Sequence, residues 1–243
     1  MREVQTEDGS FTSYSEHFDE HYHSVKEGAL KESLKKHIEP ALSLVSKTDK
    51  LQILDICYGL GFNSLATLHY LKDSDIKIEI KSPEFDRKLV QSLSRFPYPK
   101  EFEPYKAIIN SLSNDGYYED ENYSIDIYFG DARDYLTNLD TRFDIVYQDA
   151  FSPKKNPTLW TYEYFQDITR LLKDDGVLTT YSSATPVRMG MFENGLKLYE
   201  HSSNEIRKGT IASKRALLSL KPIDMLLKQE RNPLAKALYD SEL

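Results

Sequence analysis

The stretch LDICYGLGFNS, Leu54–Ser64, decides the fold. Its first half completes LQILDIC (Leu51–Cys57), a short apolar run that reads as a buried strand. A glycine turn follows, shaped by Gly59 and Gly61 with Tyr58 between strand and turn. A helix then runs from about Asn63 to Leu71. Small residues let a backbone approach a ligand, and a helix N-terminus offers N–H groups to it. An acid, Asp55, stands at the end of the strand. The unit fits the opening of a nucleotide-binding α/β sheet, although such turns also join strands to helices with no ligand present.

Downstream the same alternation repeats. IKIEIKS (Ile76–Ser82) alternates as a second strand, and a helix from about Phe85 to Ser94 follows. Residues 95–122 read as an irregular insert with a helical piece around Ala107–Leu112. IDIYF (Ile125–Phe129) and FDIVYQ (Phe143–Gln148) are a third and fourth strand. A helix near Tyr162–Leu172 carries Phe165, Ile168, Leu171 and Leu172 on one face, and KDDG reads as its stop before a fifth strand, VLTTY (Val177–Tyr181). Leu196–His201 and Arg215–Leu220 read as two more. Upstream, residues 1–27 read as a polar and aromatic extension that packs onto the domain. From Gly28, Leu30, Leu34, Ile38, Ala41, Leu42 and Val45 fall at helical spacing, and Pro40 must kink or split that helix near Glu39. The expected fold is α/β and Rossmann-like: a mostly parallel sheet of about seven strands with helices on both faces. The expected division is an N-terminal extension and helix over 1–47 and a main domain over 48–243. Ligands of such sheets bind at the carboxyl ends of the strands.

Acids stand at those ends. Glu84 closes the second strand, where a carboxylate can accept from both hydroxyls of a ribose; the alternative is an acid at a helix start. Asp131 closes the third, placed to accept from an adenine amino group, with Ala132 to pack on the ring. With Asp55 they form a more specific pattern than any one alone. Such a row would repel a phosphate-rich dinucleotide and suits a cationic, phosphate-free sulfonium nucleoside.

The fourth strand runs into VYQDAFSPKKNPTLW (Val146–Trp160). Its Asp149, Ala150 and Phe151, then Pro153, Lys155, Asn156, Pro157 and Trp160, resemble the signature of the methyltransferase domain of the MnmC-type tRNA 5-methylaminomethyl-2-thiouridine biosynthesis family. Further likeness lies in Gly59, Gly61 and Asn63, in FGDARDYL (Phe129–Leu136), in YSSATPVRMGM with Ser183 and Arg188, and in FDEHYHSVKEGALKE with Tyr22, Ser24, Gly28 and Glu32. It spans about Phe18 to Leu220. Two positions depart: the family usually has another glycine at Cys57, and commonly Glu at Asp55. The resemblance implies a class I methyltransferase fold and S-adenosyl-L-methionine as cofactor, bound by Tyr22, Ser24, Asp55, Tyr58, Gly59, Gly61, Asn63, Glu84, Asp131, Ala132 and Asp149. It implies methyl transfer to the 5-aminomethyl nitrogen of a wobble uridine or thiouridine, with the tRNA anticodon loop as partner. The flavin-dependent oxidase domain of two-domain members has no counterpart here, so a separate oxidase or aminomethyl-installing enzyme is the expected upstream partner.

Asp149 then falls where the fourth strand delivers a side chain to the reacting groups, to orient the amine and take a proton; otherwise it caps the loop. Phe151 and Trp160 offer flat faces for a flipped base, or pack in the core. Lys154, Lys155, Arg188, Arg207, Lys208, Lys214 and Arg215 either form a basic rim, with Lys155, Arg188 and Lys208 as substrate contacts, or are scattered surface.

The composition bounds these readings. At 243 residues with net charge −8, the chain does not coat nucleic acid by bulk charge, though a local basic patch stays open. The one cysteine, Cys57, excludes an internal disulfide and a multi-cysteine zinc site. With no apolar run near the about 20 residues of a membrane span and no secretory h-region, a cytoplasmic location is expected. His17, His21 and His23 (H-x3-H-x-H) lack supporting cysteines or H-E-x-x-H and are expected not to hold a metal. Two rivals stay open: a small-molecule methyltransferase or aminopropyltransferase on the same fold, and a non-catalytic nucleoside- or RNA-binding module.

Overall fold

The computed structural model describes residues 2–46, 48–202, 205–232 and 234–243. The strands run β1 (Glu3–Gln5), β2 (Phe11–Ser15), β3 (Glu20–His21), β4 (Lys50–Ile56), β5 (Lys77–Glu84), β6 (Tyr117–Glu119), β7 (Tyr123–Phe129), β8 (Phe143–Gln148), β9 (Leu172–Thr180), β10 (Lys197–His201) and β11 (Gly209–Ser213). The helices are α1 (Ala29–Glu32), α2 (Glu39–Leu42), α3 (Phe62–Tyr70), α4 (Arg87–Ser92), α5 (Lys106–Asp115), α6 (Ala132–Thr137), α7 (Tyr162–Leu171), α8 (Thr185–Glu193) and α9 (Met225–Arg231).

Among the described residues the main sheet has eight strands in the order β10-β11-β9-β8-β4-β5-β7-β6. β9, β8, β4, β5 and β7 are mutually parallel; at one side β11 pairs antiparallel with β9 and β10 antiparallel with β11, and at the other β6 pairs antiparallel with β7. Alternation within strands builds two cores. Leu51 and Ile53 of β4 join Phe62, Leu65 and Ile80 on one face; Leu54 and Ile56 join Val146, Phe165 and Leu178 on the other. This is the expected Rossmann-like class. The chain leaves β4 in one direction towards β5 and returns on its other side as β8, which opens a crevice at their carboxyl ends.

Two local expectations are corrected and two are refined. The insert contributes β6, which takes the about seven expected strands to eight. KDDG does not stop a helix: β9 starts at Leu172 and passes through it with an irregular register against β8. Gly176 is required there because a Cβ would lie 2.9 Å from the Phe143 carbonyl oxygen. The last strand is Gly209–Ser213 instead of Arg215–Leu220, because the fully buried Thr-Ile-Ala segment pairs with β9 whereas charged Lys214 and Arg215 end the pairing. The helix that Pro40 is expected to kink or split near Glu39 changes type there. The missing Pro40 N–H coincides with a π-helical stretch, Ser33–Ile38, that joins α1 to α2, and Pro40 itself sits in the first turn of α2.

Within residues 2–27 the chain forms a three-stranded antiparallel sheet, β1-β2-β3. Together with the helix after it, this segment packs over the crevice; Lys47, which ends the expected N-terminal piece, lies outside the described residues.

Candidate active site

A cavity of about 1080 Å³ opens at the carboxyl ends of β4, β5, β7 and β8 and is roofed by the N-terminal segment. The floor is the glycine turn. Cys57, Gly59 and Gly61 all take positive φ, at 65°, 54° and 75°. At Gly61 a Cβ would lie 2.6 Å from the Tyr58 hydroxyl oxygen, and at Gly59 it would press on the Tyr22 ring at 3.2 Å. The turn thus holds a narrow cradle that side chains would fill. Cys57 adopts the left-handed backbone that explains why a glycine suits this position.

Three of the expected acids meet this cavity. Glu84 is buried and accepts from the backbone N–H of Gly59 at 2.8 Å (Oε2) and of Asp86 at 2.8 Å (Oε1). Each oxygen keeps one lone pair, which suits a pair of hydroxyl donors. Burial raises its pKa despite these bonds. Asp131 N-caps α6 by accepting from Arg133 N at 2.7 Å and Asp134 N at 3.3 Å, both at Oδ1, with Ala132 beside it on the wall. Asp149, just past β8, accepts from Asn63 Nδ2 at 2.9 Å, and His37 Nε2 lies 3.4 Å from its Oδ1. Burial pushes the Asp149 pKa up, but the imidazoles of His37 and His23 and the Asn63 bond outweigh it, so the net shift is downward. The carboxylate is held ionised.

Asp55 sits one layer deeper and does not line the cavity. It accepts from Ser64 Oγ at 2.8 Å and lies 3.4 Å from Asn63 Nδ2, so it supports the residue that Asp149 also holds. Burial lifts its pKa to about 7, opposed by the Ser64 bond and reinforced by the Asp149 charge. Asp55 thus stands in a supporting position beneath the lining, and Gly61 likewise shapes the turn from behind.

The opposite wall is aromatic. Phe151 stacks on Phe18 at 4.4 Å and leans on Tyr22 at 5.0 Å. Two bonds tie this loop to the β2–β3 hairpin: Ser152 N to Glu20 Oε2 at 2.9 Å, and Lys155 Nζ to Asp19 Oδ2 at 2.6 Å. Lys155 is therefore a latch between two loops. Ser24 lines the wall and accepts from Glu27 N at 3.2 Å.

Four expected substrate contacts do not line the cavity: Lys155, held by Asp19, and three others. Trp160 is 0% exposed, donates Nε1–H to the Phe151 carbonyl at 2.8 Å and packs edge-on to Tyr181, so it anchors the loop and offers no free face. Arg188 is buried, with Nε donating to Thr210 Oγ1 at 2.9 Å, because α8 packs it under β11. Lys208 is exposed and paired with Glu200 at 2.7 Å, away from the cavity. The cations that do line it are Lys26, Arg87, Lys88 and Arg207. The sequence reading also missed Phe18, Phe85, His37 and Tyr181. Phe85 directly follows Glu84, and His37 stands on the apolar stripe of its helix between Leu34 and Ala41; both signals were present.

A profile described as S-adenosyl-L-methionine-dependent methyltransferase matches residues 103–215. The crystal structure of MnmC2 from Aquifex aeolicus superposes with a TM-score of 0.85 and 32% identity, over 99% of this chain and 79% of that one. An uncharacterized protein of Methanocaldococcus jannaschii is 37% identical over 87% of this chain, which spans 59% of that protein. The tRNA 5-methylaminomethyl-2-thiouridine biosynthesis bifunctional protein MnmC of Campylobacter hominis is 28% identical over 64% of this chain, which spans 24% of it. Among the described residues no helix is long and apolar enough to cross a membrane. The cradle at Gly59 and the two open lone pairs of Glu84 fit the donor that this profile names. The chain belongs to the MnmC-type family of S-adenosyl-L-methionine-dependent methyltransferases, and S-adenosyl-L-methionine is its methyl donor.

Proposed function

We propose that the chain methylates the primary amine of a 5-aminomethyl uridine, with or without a 2-thio group, at the wobble position of tRNA. The observation that carries this reading is Asp149: an ionised carboxylate at the carboxyl end of β8, between the glycine turn and the Phe18–Phe151–Tyr22 wall. When bound, the cofactor supplies a methyl group on a sulfonium that a neutral amine displaces. Glu84 would hold the ribose hydroxyls, Asp131 and Ala132 the adenine, and Tyr58, Gly59, Tyr22 and Ser24 the remainder. Asn63 and His37 keep Asp149 in place. Asp149 orients the amine by accepting an N–H and takes up the proton that the nitrogen sheds, directly or through water. A pyrimidine turned out of an anticodon loop finds a stacking surface on the aromatic wall. Lys26, Arg87, Lys88 and Arg207 around the cavity supply contacts for the flanking phosphates. The aminomethyl precursor would come from a separate oxidase or an aminomethyl-installing enzyme.

The test is transfer of labelled methyl to tRNA whose wobble uridine bears a 5-aminomethyl group. Incorporation that depends on Asp149 supports the reading; no incorporation by protein that binds the cofactor rejects this substrate. The acidic lining, with Glu20, Glu32, Glu84, Asp86, Asp131 and Asp149, also favours a second reading, a small free amine as acceptor. A probable spermidine synthase from Corynebacterium glutamicum shares the fold at a TM-score of 0.57 and 13% identity. Methyl transfer to free amines without RNA would select that reading.

A further inference from the structure

We propose that His37 is a positioning residue for Asp149: its Nε2 edge fixes the carboxylate rotamer and its ionised state from inside the protein, without touching the methyl acceptor. The inference rests on the reading of Asp149 as the group that receives the amine.

His37 is 0% exposed. It comes from the π-helical stretch, where the wider turn carries it to the carboxyl ends of β8 and β9. Its ring stands edge-on to Tyr147 of β8 at 5.8 Å. Nδ1 lies 3.0 Å from Thr179 Oγ1 of β9. Nε2 has no aligned hydrogen bond and faces Asp149 Oδ1 at 3.4 Å. A ring lone pair turned toward a carboxylate in a buried site would be repelled, so Nε2 carries a proton. The Thr179 hydroxyl suits both remaining forms. It donates to Nδ1 of the neutral ring and accepts from Nδ1–H of the cation. Thr179 therefore keeps the Nε2–H edge aimed at Asp149 whatever the charge of the ring.

The surroundings leave this task to His37. Asp149 is faced by Asn63 from α3, His23 from the segment before α1, Asp55 from β4, Cys57 from the turn and Tyr181 from the end of β9. Asp55 and Cys57 can add only negative charge, and Asn63 and Tyr181 add no positive charge. His23 is disfavoured as a cation by its burial. His37 is the imidazole within ion-pair distance. Asn63 holds Oδ2 and His37 addresses Oδ1, so the carboxylate is gripped at both oxygens while a second lone pair on each can meet the amine.

The test uses the full chain with Asp carboxyl carbons labelled and D149N to assign the Asp149 resonance. His37→Phe is expected to move the Asp149 midpoint about one pH unit higher. Its kcat is expected to fall about tenfold or more, with S-adenosyl-L-methionine affinity within about twofold of wild type. His37→Gln restores a neutral N–H donor, so kcat recovers in part while the midpoint stays raised. Thr179→Val, a near-isosteric change on β9, is expected to shift the midpoint in the same direction and decides the matter if the His37 variants do not fold. An unshifted midpoint in every variant that folds overturns the proposal, whatever happens to stability. Full activity in D149N would instead sink the chemical role of Asp149 and leave the titration result for His37 standing.

Discussion

At Cys57 a side chain occupies a backbone conformation that normally selects glycine, with φ at 65°. Left-handed backbone costs a non-glycine residue about 1–2 kcal/mol, and glycine loses about 0.5–1 kcal/mol through the freedom of its unfolded chain. The thiol also packs against the second core. These terms nearly cancel, so Cys57→Gly is expected to leave stability within about 1 kcal/mol of wild type. Cys57→Val, branched at Cβ, is expected to lose about 2 kcal/mol or more. Urea midpoints measure both, and equal losses in the two variants would show that the backbone is not the constraint. Asp55 makes a prediction in pH. Burial raises its folded pKa from 3.8 to about 7. The unfolded chain therefore ionises first, and the stability that neutral Asp55 contributes is complete below pH 3.8 and lost as pH rises through about 7. Asp55→Asn keeps an acceptor for Ser64 without the charge. The wild type should lose stability relative to Asp55→Asn on the order of a few kcal/mol between these limits. A constant difference in urea unfolding across that range would refute the neutral carboxyl.

At the level of elements, the loop from Asp149 to Trp160 shows how a short segment serves chemistry by being anchored at both ends. Asp149 is gripped by α3 and His37, while Trp160 is sealed in the core with its indole N–H on the Phe151 carbonyl. Trp160→Phe leaves that carbonyl unpaired and part of the pocket unfilled, at a cost of about 2 kcal/mol. The Phe151 ring then loses its fixed place. The expected result is a lower urea midpoint and a raised KM for the methyl acceptor, with cofactor affinity unchanged. A KM equal to wild type would mean that Phe151 does not meet the acceptor. The same loop marks the limit of what the sequence discloses. Strands β4, β5, β7 and β8 were legible because period-two and continuous apolar runs depend on neighbours in the chain, and so were the acids at their ends. The facing of a side chain was not. Trp160, Arg188 and Asp55 were read as ligand contacts from their place in a motif. Which of them meets the cavity depends on how α8, β11 and the N-terminal sheet pack, and that is long-range information. His37 was hidden for the same reason: a polar residue on an apolar stripe signals burial, but its partner on β9 is set by the fold.

Across the whole molecule, the proposed tRNA substrate requires a net charge of −8 to coexist with binding to a polyanion. The cavity divides the task. Its interior is lined by carboxylates, which suit an amine and repel phosphate, and the lining cations are Lys26, Arg87, Lys88 and Arg207. Not all are equally available. Arg207 is tied to Glu27 through Nε at 3.3 Å, and the Arg87 guanidinium packs 4.2 Å from the Phe129 ring centroid. Lys26 and Lys88 are exposed. Two to four phosphate contacts on single-stranded RNA give a slope of log K against log salt of about −1.5 to −3, shallow for an RNA-binding protein. Lys88→Ala is expected to flatten that slope by about 0.7 and weaken binding alike for modified and unmodified anticodon loops, since a phosphate contact carries no base information. Asp149→Asn should do the reverse: leave the slope unchanged and erase the preference for the aminomethylated loop. Filter binding over a salt series with both loops separates the two. A slope much steeper than this range would mean that RNA crosses a basic surface other than the rim of this cavity, and a slope unmoved by Lys88→Ala would take the rim out of RNA binding.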